Sequence, residues 1–523
     1  MKPAVRATVR FALALGVVTT LGPGVAWSQT DRPGPWVPLG SRLDRFAVWA
    51  LDEGAFKNLD PLTRPFRLAA LRRAVREQDT VALPAAGRRA VQWVTNELDG
   101  VADSVSLVGE VALMGYTNGR RDSFRTSDSG GIAPAAGMRA TLVRGPFVAV
   151  LNPAVDNRLK DDPEYTGYTR NFIAGRNQEA YVAATGDIGD LFYGRMARNW
   201  GPSLFDGLLV SPSAYPIEEF AGALRIGRFE LQSINQRLDD LTDSTSAVPI
   251  QRWLLAHRLT INAGRGVWLS FTETGVYGGR GQGFDPVFAA PLNLALLSGF
   301  NDGRRVNTLV GVDARFSPAR AWHVALAGYL DDIQIDRATL TDQRPTAYGL
   351  TADLTWALPV APAHVHVGYT RVSALSYRDS FRPDLQYSLR GIGLARNYSD
   401  YDQLLVRVET HPAAAWAVSF DLSYLRQGAD DFRQPFPSDS LLATPGQGFL
   451  VSPVHSAPGV RMTVDAELRP GLEVRGELGA TRTLAGSGVL IAALAGHVRF
   501  DLLKRALVGG FPAIEAGASR GWP

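Results

Sequence analysis

Seven histidines are spread along the chain. Two of them, His364 and His366, share one strand face by period two, which is the spacing of a possible metal pair. No third ligand stands beside them in sequence, so they read as histidines of an aqueous lumen or rim near a short turn. Gly279-Arg280-Gly281-Gln282-Gly283 follows a strand and has the glycine density of a phosphate loop. No helix is expected to open after it, so it reads as a flexible outer loop. Glu218-Glu219 and Asp239-Asp240 pair carboxylates as acid–base chemistry requires, but their loop context predicts solvated charge. There is no G-x-S-x-G or H-E-x-x-H run. The absence of cysteine removes thiol catalysis, thiolate zinc sites, disulfides and a lipid-anchored N-terminal cysteine. The expectation is a protein that is not an enzyme and holds no cofactor or metal.

One segment stands apart. Arg198-Asn199-Trp200-Gly201-Pro202-Ser203 continues through Leu204 to Ser211-Pro212-Ser213-Ala214-Tyr215-Pro216. A Trp-Gly-Pro turn bracketed by further prolines is too stiff and too apolar for an ordinary solvated loop. Two compatible readings follow. The segment folds inward and fills space, or it offers an aromatic stacking surface for sugars with hydroxyls and amides to orient them. The second reading would place sugar contacts on Asn199, Trp200, Asp206 and Tyr215. Tyr165, Tyr168, Phe284, Tyr387 and Tyr398 are further rings in expected outer loops.

These residues need elements to hold them. The chain has 523 residues with 54 Lys+Arg against 51 Asp+Glu, a balance that argues against nucleic acid as a partner. Lys2, Arg6 and Arg10, an apolar core over Phe11–Val18 and small residues before position 28 predict a signal peptide over 1–28. No later stretch reads as a membrane-spanning helix, and the mean hydropathy of −0.04 is too polar for a helical membrane protein. Residues 37–98 carry helical periodicity: Ser41 caps a first helix that Gly54 ends, Pro65 opens a second, and Ala90, Val94 and Leu98 phase a third.

From Ser104 the period becomes two. Met462, Val464, Ala466 and Leu468 alternate with Thr463, Asp465, Glu467 and Arg469, an apolar face backed by one too polar for a dry core. About eighteen such segments lie between 104 and 500. The gaps between them alternate, short after 143, 188, 227, 263, 317, 358, 411 and 469, long after 118, 155, 198, 238, 278, 335, 378 and 428, and only the last outer gap, 484–487, breaks the rule. Short turns at one end and long loops at the other are the pattern of an outer-membrane barrel, and a soluble sandwich has no reason to keep it. The fold class expected is an all-β transmembrane barrel of about 18 antiparallel strands over 104–500 with a small N-terminal α-helical bundle over 37–98 and a C-terminal tail over 501–523. Near its end, a turn at Arg469-Pro470-Gly471 predicts Leu468 opposite Leu472 and Asp465 facing Arg475.

A signal peptide, a short helical piece with Pro61-Leu62-Thr63, and a long strand array resemble in layout the Wzi-type capsule assembly proteins. Asn199-Trp200-Gly201-Pro202, followed by Leu208, Leu209, Ser211, Ala214 and Pro216, is similar to that family's W-G-P-G and L-x-x-S-x-x-A-x-P stretch. Asn199 and Ser203 stand where the family pattern has Trp and Gly. The resemblance implies an eighteen-stranded outer-membrane barrel whose helices and loops plug the lumen. It implies a lectin-like, non-catalytic role in anchoring or assembling capsular or extracellular polysaccharide. The expected partners are surface polysaccharide and outer-membrane lipid, with periplasmic contacts through the helical bundle. A porin-like channel for small solutes is the alternative.

Overall fold

The computed structural model describes residues 33–100, 105–120, 122, 124–125, 129–243, 246–332, 346–359, 361–379, 382–437 and 449–505. The expected signal peptide over 1–28 lies outside the described residues. Eighteen strands form the wall. They are β1 Val105–Tyr116, β2 Gly131–Arg144, β3 Phe147–Asp156, β4 Gly175–Thr185, β5 Gly189–Arg195, β6 Glu219–Ile226, β7 Phe229–Arg237, β8 Ser246–Gly264 and β9 Val267–Arg280. They continue as β10 Val306–Ala319, β11 Trp322–Asp332, β12 Ala347–Ala357, β13 Ala363–Val372, β14 Tyr401–Ala413, β15 Trp416–Gln427, β16 His455–Arg469, β17 Leu472–Arg482 and β18 Gly488–Arg505. Each pairs antiparallel with the next, and β18 pairs with β1, so the sheet closes with no free edge. The last strand passes the expected boundary at 500 and runs to Arg505; residues 506–523 lie outside the described residues.

The alternation decides which way side chains face. Val460, Met462, Leu478, Leu494 and Val498 are exposed on the outer surface, as are rings near the short turns at Phe147, Phe229, Trp322, Trp356 and Trp416. Trp322 and Trp356 stack at 5.1 Å. An apolar band edged by aromatic rings suits lipid and its interface. Inward, charges of both signs join across strands. Arg407 grips Asp421 at 2.7 and 2.9 Å, Arg461 reaches the same carboxylate at 3.1 Å, and Arg499 meets Glu473 at 3.2 Å. The β16–β17 register pairs Asp465 with Arg475, as the sequence predicts. The turn itself is tighter than expected. Arg469 pairs with Leu472, and a bulge at Leu468 absorbs the offset, with Gly471 at φ 80°.

Two fillings occupy the lumen. At the short-turn end sit helices α1 Arg42–Asp52, α2 Leu68–Glu77 and α3 Ala85–Gly100. Ser41 caps α1 by accepting from the Asp44 amide at 3.3 Å. Pro65 precedes α2 instead of opening it; the helix begins at Leu68. The helices share a core that includes Phe46, Trp49, Leu71, Val91 and Val94. At the long-loop end, the segments between β5 and β6 and between β13 and β14 fold inward. Leu208, Leu209, Tyr377, Leu385, Tyr387 and Leu389 pack there against wall residues Leu254, Val276, Leu309 and Tyr329. Gly368 of β13 makes room for this filling, since a Cβ there would meet the Phe205 ring at 2.6 Å and the Leu204 side chain closer still.

Candidate functional site

The segment 198–216 joins the two fillings. Thr63 and Arg64, between α1 and α2, pair with Trp200 and Asn199 as a two-residue ladder, and the Gly201 amide donates to the Leu62 carbonyl at 2.8 Å. Asn199 Oδ1 accepts from the Gly207 amide at 2.6 Å, closing the loop on itself. Arg258 of β8, fully buried, lies 5.4 Å from the Trp200 ring and donates to Thr63 Oγ1 at 3.1 Å. Tyr215 donates to Asp162 Oδ2 at 3.0 Å beneath the Arg176 guanidinium. Asn199, Trp200 and Tyr215 are thus buried, and of the four expected sugar-binding residues only Asp206 is exposed, into a lumenal cavity. A sugar ring has no access to the Trp200 face. This is the inward-folded reading of the segment, and the expectation of an open stacking surface there is corrected. Tyr387 is also buried, and Glu219 is a buried partner of Arg198 at 2.6 Å instead of a solvated loop charge.

What the long-loop end does expose is a groove of about 440 Å³ among four loops. Its lining includes Arg120, Glu164, Asn397, Tyr398, Gln427, Asp431 and Arg433. Tyr398 sits at its centre, with Arg125 3.5 Å and Arg433 4.9 Å from the ring. Arg120 donates to the Tyr398 hydroxyl and, at 3.1 Å, to Glu164, which also accepts from Asn397 Nδ2 at 2.8 Å. Gln427 ties the wall to the floor by donating to the Ser399 carbonyl at 2.7 Å. Burial raises the Tyr398 phenol above its ordinary value, against the pull of Arg125 and Arg120. It stays a neutral donor at physiological pH. Amides, carboxylates, guanidiniums and one aromatic ring in an open trough are the groups that recognise sugar hydroxyls and ring faces. Among the five expected outer-loop rings, only Tyr398 lines this groove.

Deeper, three polar cavities of about 580, 430 and 220 Å³ lie between the helices and the wall. The first is crossed by Arg67–Asp190 at 3.0 Å and Arg225–Asp190 at 2.7 Å. The second borders a cluster of which the sequence shows only the two histidines. His364 and His366 of β13 are buried against the end of α1, where Asp52 brings a carboxylate within 4.8 Å of both imidazoles. The expectation of aqueous histidines without a third ligand is corrected. Burial opposes ionisation of Asp52, but Arg315, His366, His364 and His323 outweigh it and hold the carboxyl below its ordinary value.

No protein-family model matches the chain, and no curated protein matches it by sequence. Among solved structures, the fold is similar to the Escherichia coli outer membrane protein Wzi, described as involved in group 1 capsule assembly and as a carbohydrate-binding β-barrel. The TM-score is 0.65 at 14% identity, covering 91% of this chain and 100% of that one. Acinetobacter baumannii OccAB2 aligns with a TM-score of 0.45 at 11% identity, covering 77% of this chain and 99% of that one. Pseudomonas aeruginosa OccD3 aligns with a TM-score of 0.44 at 11% identity, covering 77% of this chain and 93% of that one. Among the described residues, no helix is long and apolar enough to cross a membrane. The eighteen strands with their exposed apolar band do so, and the chain is an outer-membrane β-barrel.

Proposed function

We propose that this protein is a non-catalytic, lectin-like barrel that anchors or helps assemble capsular or extracellular polysaccharide at the cell surface. The observation that carries this reading is the double filling of the lumen. Helices occupy the short-turn end and packed loops the long-loop end, while a groove stays open beside the latter. The likeness in fold to a carbohydrate-binding barrel supports it. In this reading the short-turn end and its helical bundle face the periplasm, and the groove faces outward. Asn397, Gln427, Asp431 and Arg433 line the groove around Tyr398, and sugar hydroxyls bind there by exchanging into the hydrogen bonds these side chains now make to one another and to backbone. Single contacts are weak, and a repeating glycan engages many copies of the protein at once, so retention grows by avidity. Asn199, Trp200 and Tyr215 serve the site by holding the loop filling in place.

The experiment is polysaccharide retention on cells carrying Tyr398→Ala or Asn397→Ala, alongside direct glycan binding by the purified barrel. Both variants are expected to lose retention and binding with the barrel folded. Unchanged binding in both would remove the groove from the account. The alternative of a solute channel is favoured by one feature, the adjoining 430 and 220 Å³ cavities that share Arg45, Ala417, Asp465 and Arg475.

A further inference from the structure

We infer that Asp52, His364 and His366 form a binding site for a divalent transition-metal ion of the zinc type, which pins helix α1 to the barrel wall. The ligand atoms come from two distant parts of the chain, the last turn of α1 and the lumenal face of β13, and all lie within 4.8 Å of one another. A tetrahedral zinc with bonds of about 2.0–2.1 Å needs donors roughly 3.4 Å apart. Metal binding would draw the donors together by up to about 1.4 Å through side-chain rotation.

Each imidazole is already oriented as a metal ligand requires. His364 Nε2 lies 3.0 Å from Glu53 Oε1, which as an acceptor fixes the proton on that nitrogen. The other nitrogen, Nδ1, is buried with no hydrogen-bond partner, and it carries the free lone pair. Trp49 stacks on the same ring at 3.6 Å and sets its plane. His366 Nδ1 lies 3.0 Å from Thr355 Oγ1, a hydroxyl able to accept its proton and leave Nε2 to ligate. Asp52 Oδ1 accepts from Arg315 at 2.8 Å, which holds the carboxylate in place. Outer carboxylate, hydroxyl and guanidinium contacts of this kind are the partners that orient ligands around a metal.

Charge and access agree. With neutral imidazoles, Asp52, Glu53 and Glu409 bring three negative charges and Arg315 and Arg407 two positive, and a dication is attracted to the remainder. The strand register places Glu409 directly opposite His364. The 430 Å³ cavity is lined by both Asp52 and His366, so an ion can reach them and water can fill a fourth coordination position. Two imidazoles and one carboxylate suit zinc and its neighbours better than magnesium or calcium.

The test uses the full chain without a histidine tag, refolded in detergent, stripped with a chelator and titrated with Zn²⁺ and, separately, Co²⁺. One equivalent of zinc per chain is expected, together with visible d–d bands from bound cobalt and no competition from Mg²⁺. His366→Gln and Asp52→Asn should each weaken zinc binding at least tenfold. Glu53→Gln, which touches only the outer partner of His364, should weaken it roughly ten- to hundredfold. Heat-modifiable migration on gels identifies which variants retain a folded barrel. Absence of saturable zinc binding by the folded wild-type chain overturns the site. So does unchanged zinc affinity in folded His366→Gln barrels.

Discussion

The two fillings of one lumen are built from opposite chemistry. The short-turn filling has an apolar core of its own and meets the wall largely through polar groups, Asp52–Arg315, Glu53–His364 and Arg67–Asp190, with Trp49 on His364 and Leu62 on Trp268 as its ring and apolar contacts. The long-loop filling shares one apolar cluster with the wall. There Tyr377 and Tyr387 stack 5.8 Å apart, and their hydroxyls donate to the Leu208 and Leu209 carbonyls at 2.9 and 2.6 Å. A bundle with its own core can dock as a preformed unit through directional contacts. Loops without internal periodicity have no core of their own and become ordered only by burying rings against the wall. The Trp200–Thr63 ladder is the joint between the two.

Perturbations should therefore act on one end at a time. The largest effect is expected from Tyr377→Ala, which empties a fully buried ring position and loosens the long-loop filling by about 3–5 kcal/mol. Hydrogen exchange should rise in 196–218 and 373–400 and not in α1–α3; exchange rising equally at both ends would break the distinction. Arg315→Leu comes next. It leaves the Asp52 carboxylate buried without its cation, at a cost of about 3 kcal/mol or more to docking of α1. Protease cleavage within 42–100 is the readout, with the loop end unaffected. Tyr377→Phe is a smaller change of about 1 kcal/mol, because it removes one hydrogen bond and keeps the ring.

A pH response sharpens the same contrast. Burial raises the Asp400 carboxyl, under the long-loop filling, to about 6, against the pull of the Asp430, Val451 and Leu450 amides. Its folded value lies above the ordinary 3.8, so the native state takes up the proton first. The stability of this end rises as pH falls from about 6 toward 4 and is flat and lower above that window. Asp400→Asn should flatten the profile of loop exchange against pH. A profile unchanged by that substitution would contradict the assignment.

Much of the architecture was legible because it is periodic. All eighteen expected strands appear in order, and the alternation of short and long gaps is the alternation of turns and loops around the ring. The Asp465–Arg475 pair and the Ser41 cap were readable from neighbours a few residues away. What was not legible depends on contacts between distant parts of the chain. Glu53 meets His364 across 311 positions, so no spacing rule connects them. Trp200 is buried by a ladder of only two residues, too short to carry a period, and its Trp-Gly-Pro stiffness signals an ordered turn without saying which side faces water. The 363–378 segment continues a strand-like pattern past Val372, where the chain leaves the wall and becomes filling. The groove around Tyr398 is assembled from four loops, and only its aromatic ring was visible beforehand.

A lumen filled at both ends leaves binding at the surface as the proposed mode of action. Single-channel recording of the refolded barrel, with its helical bundle in place, in planar bilayers tests this most directly. Closed fillings at both ends predict no steady conductance above the bilayer baseline. Steady, porin-scale conductance from that folded chain would contradict the account and make solute transport the reading to pursue.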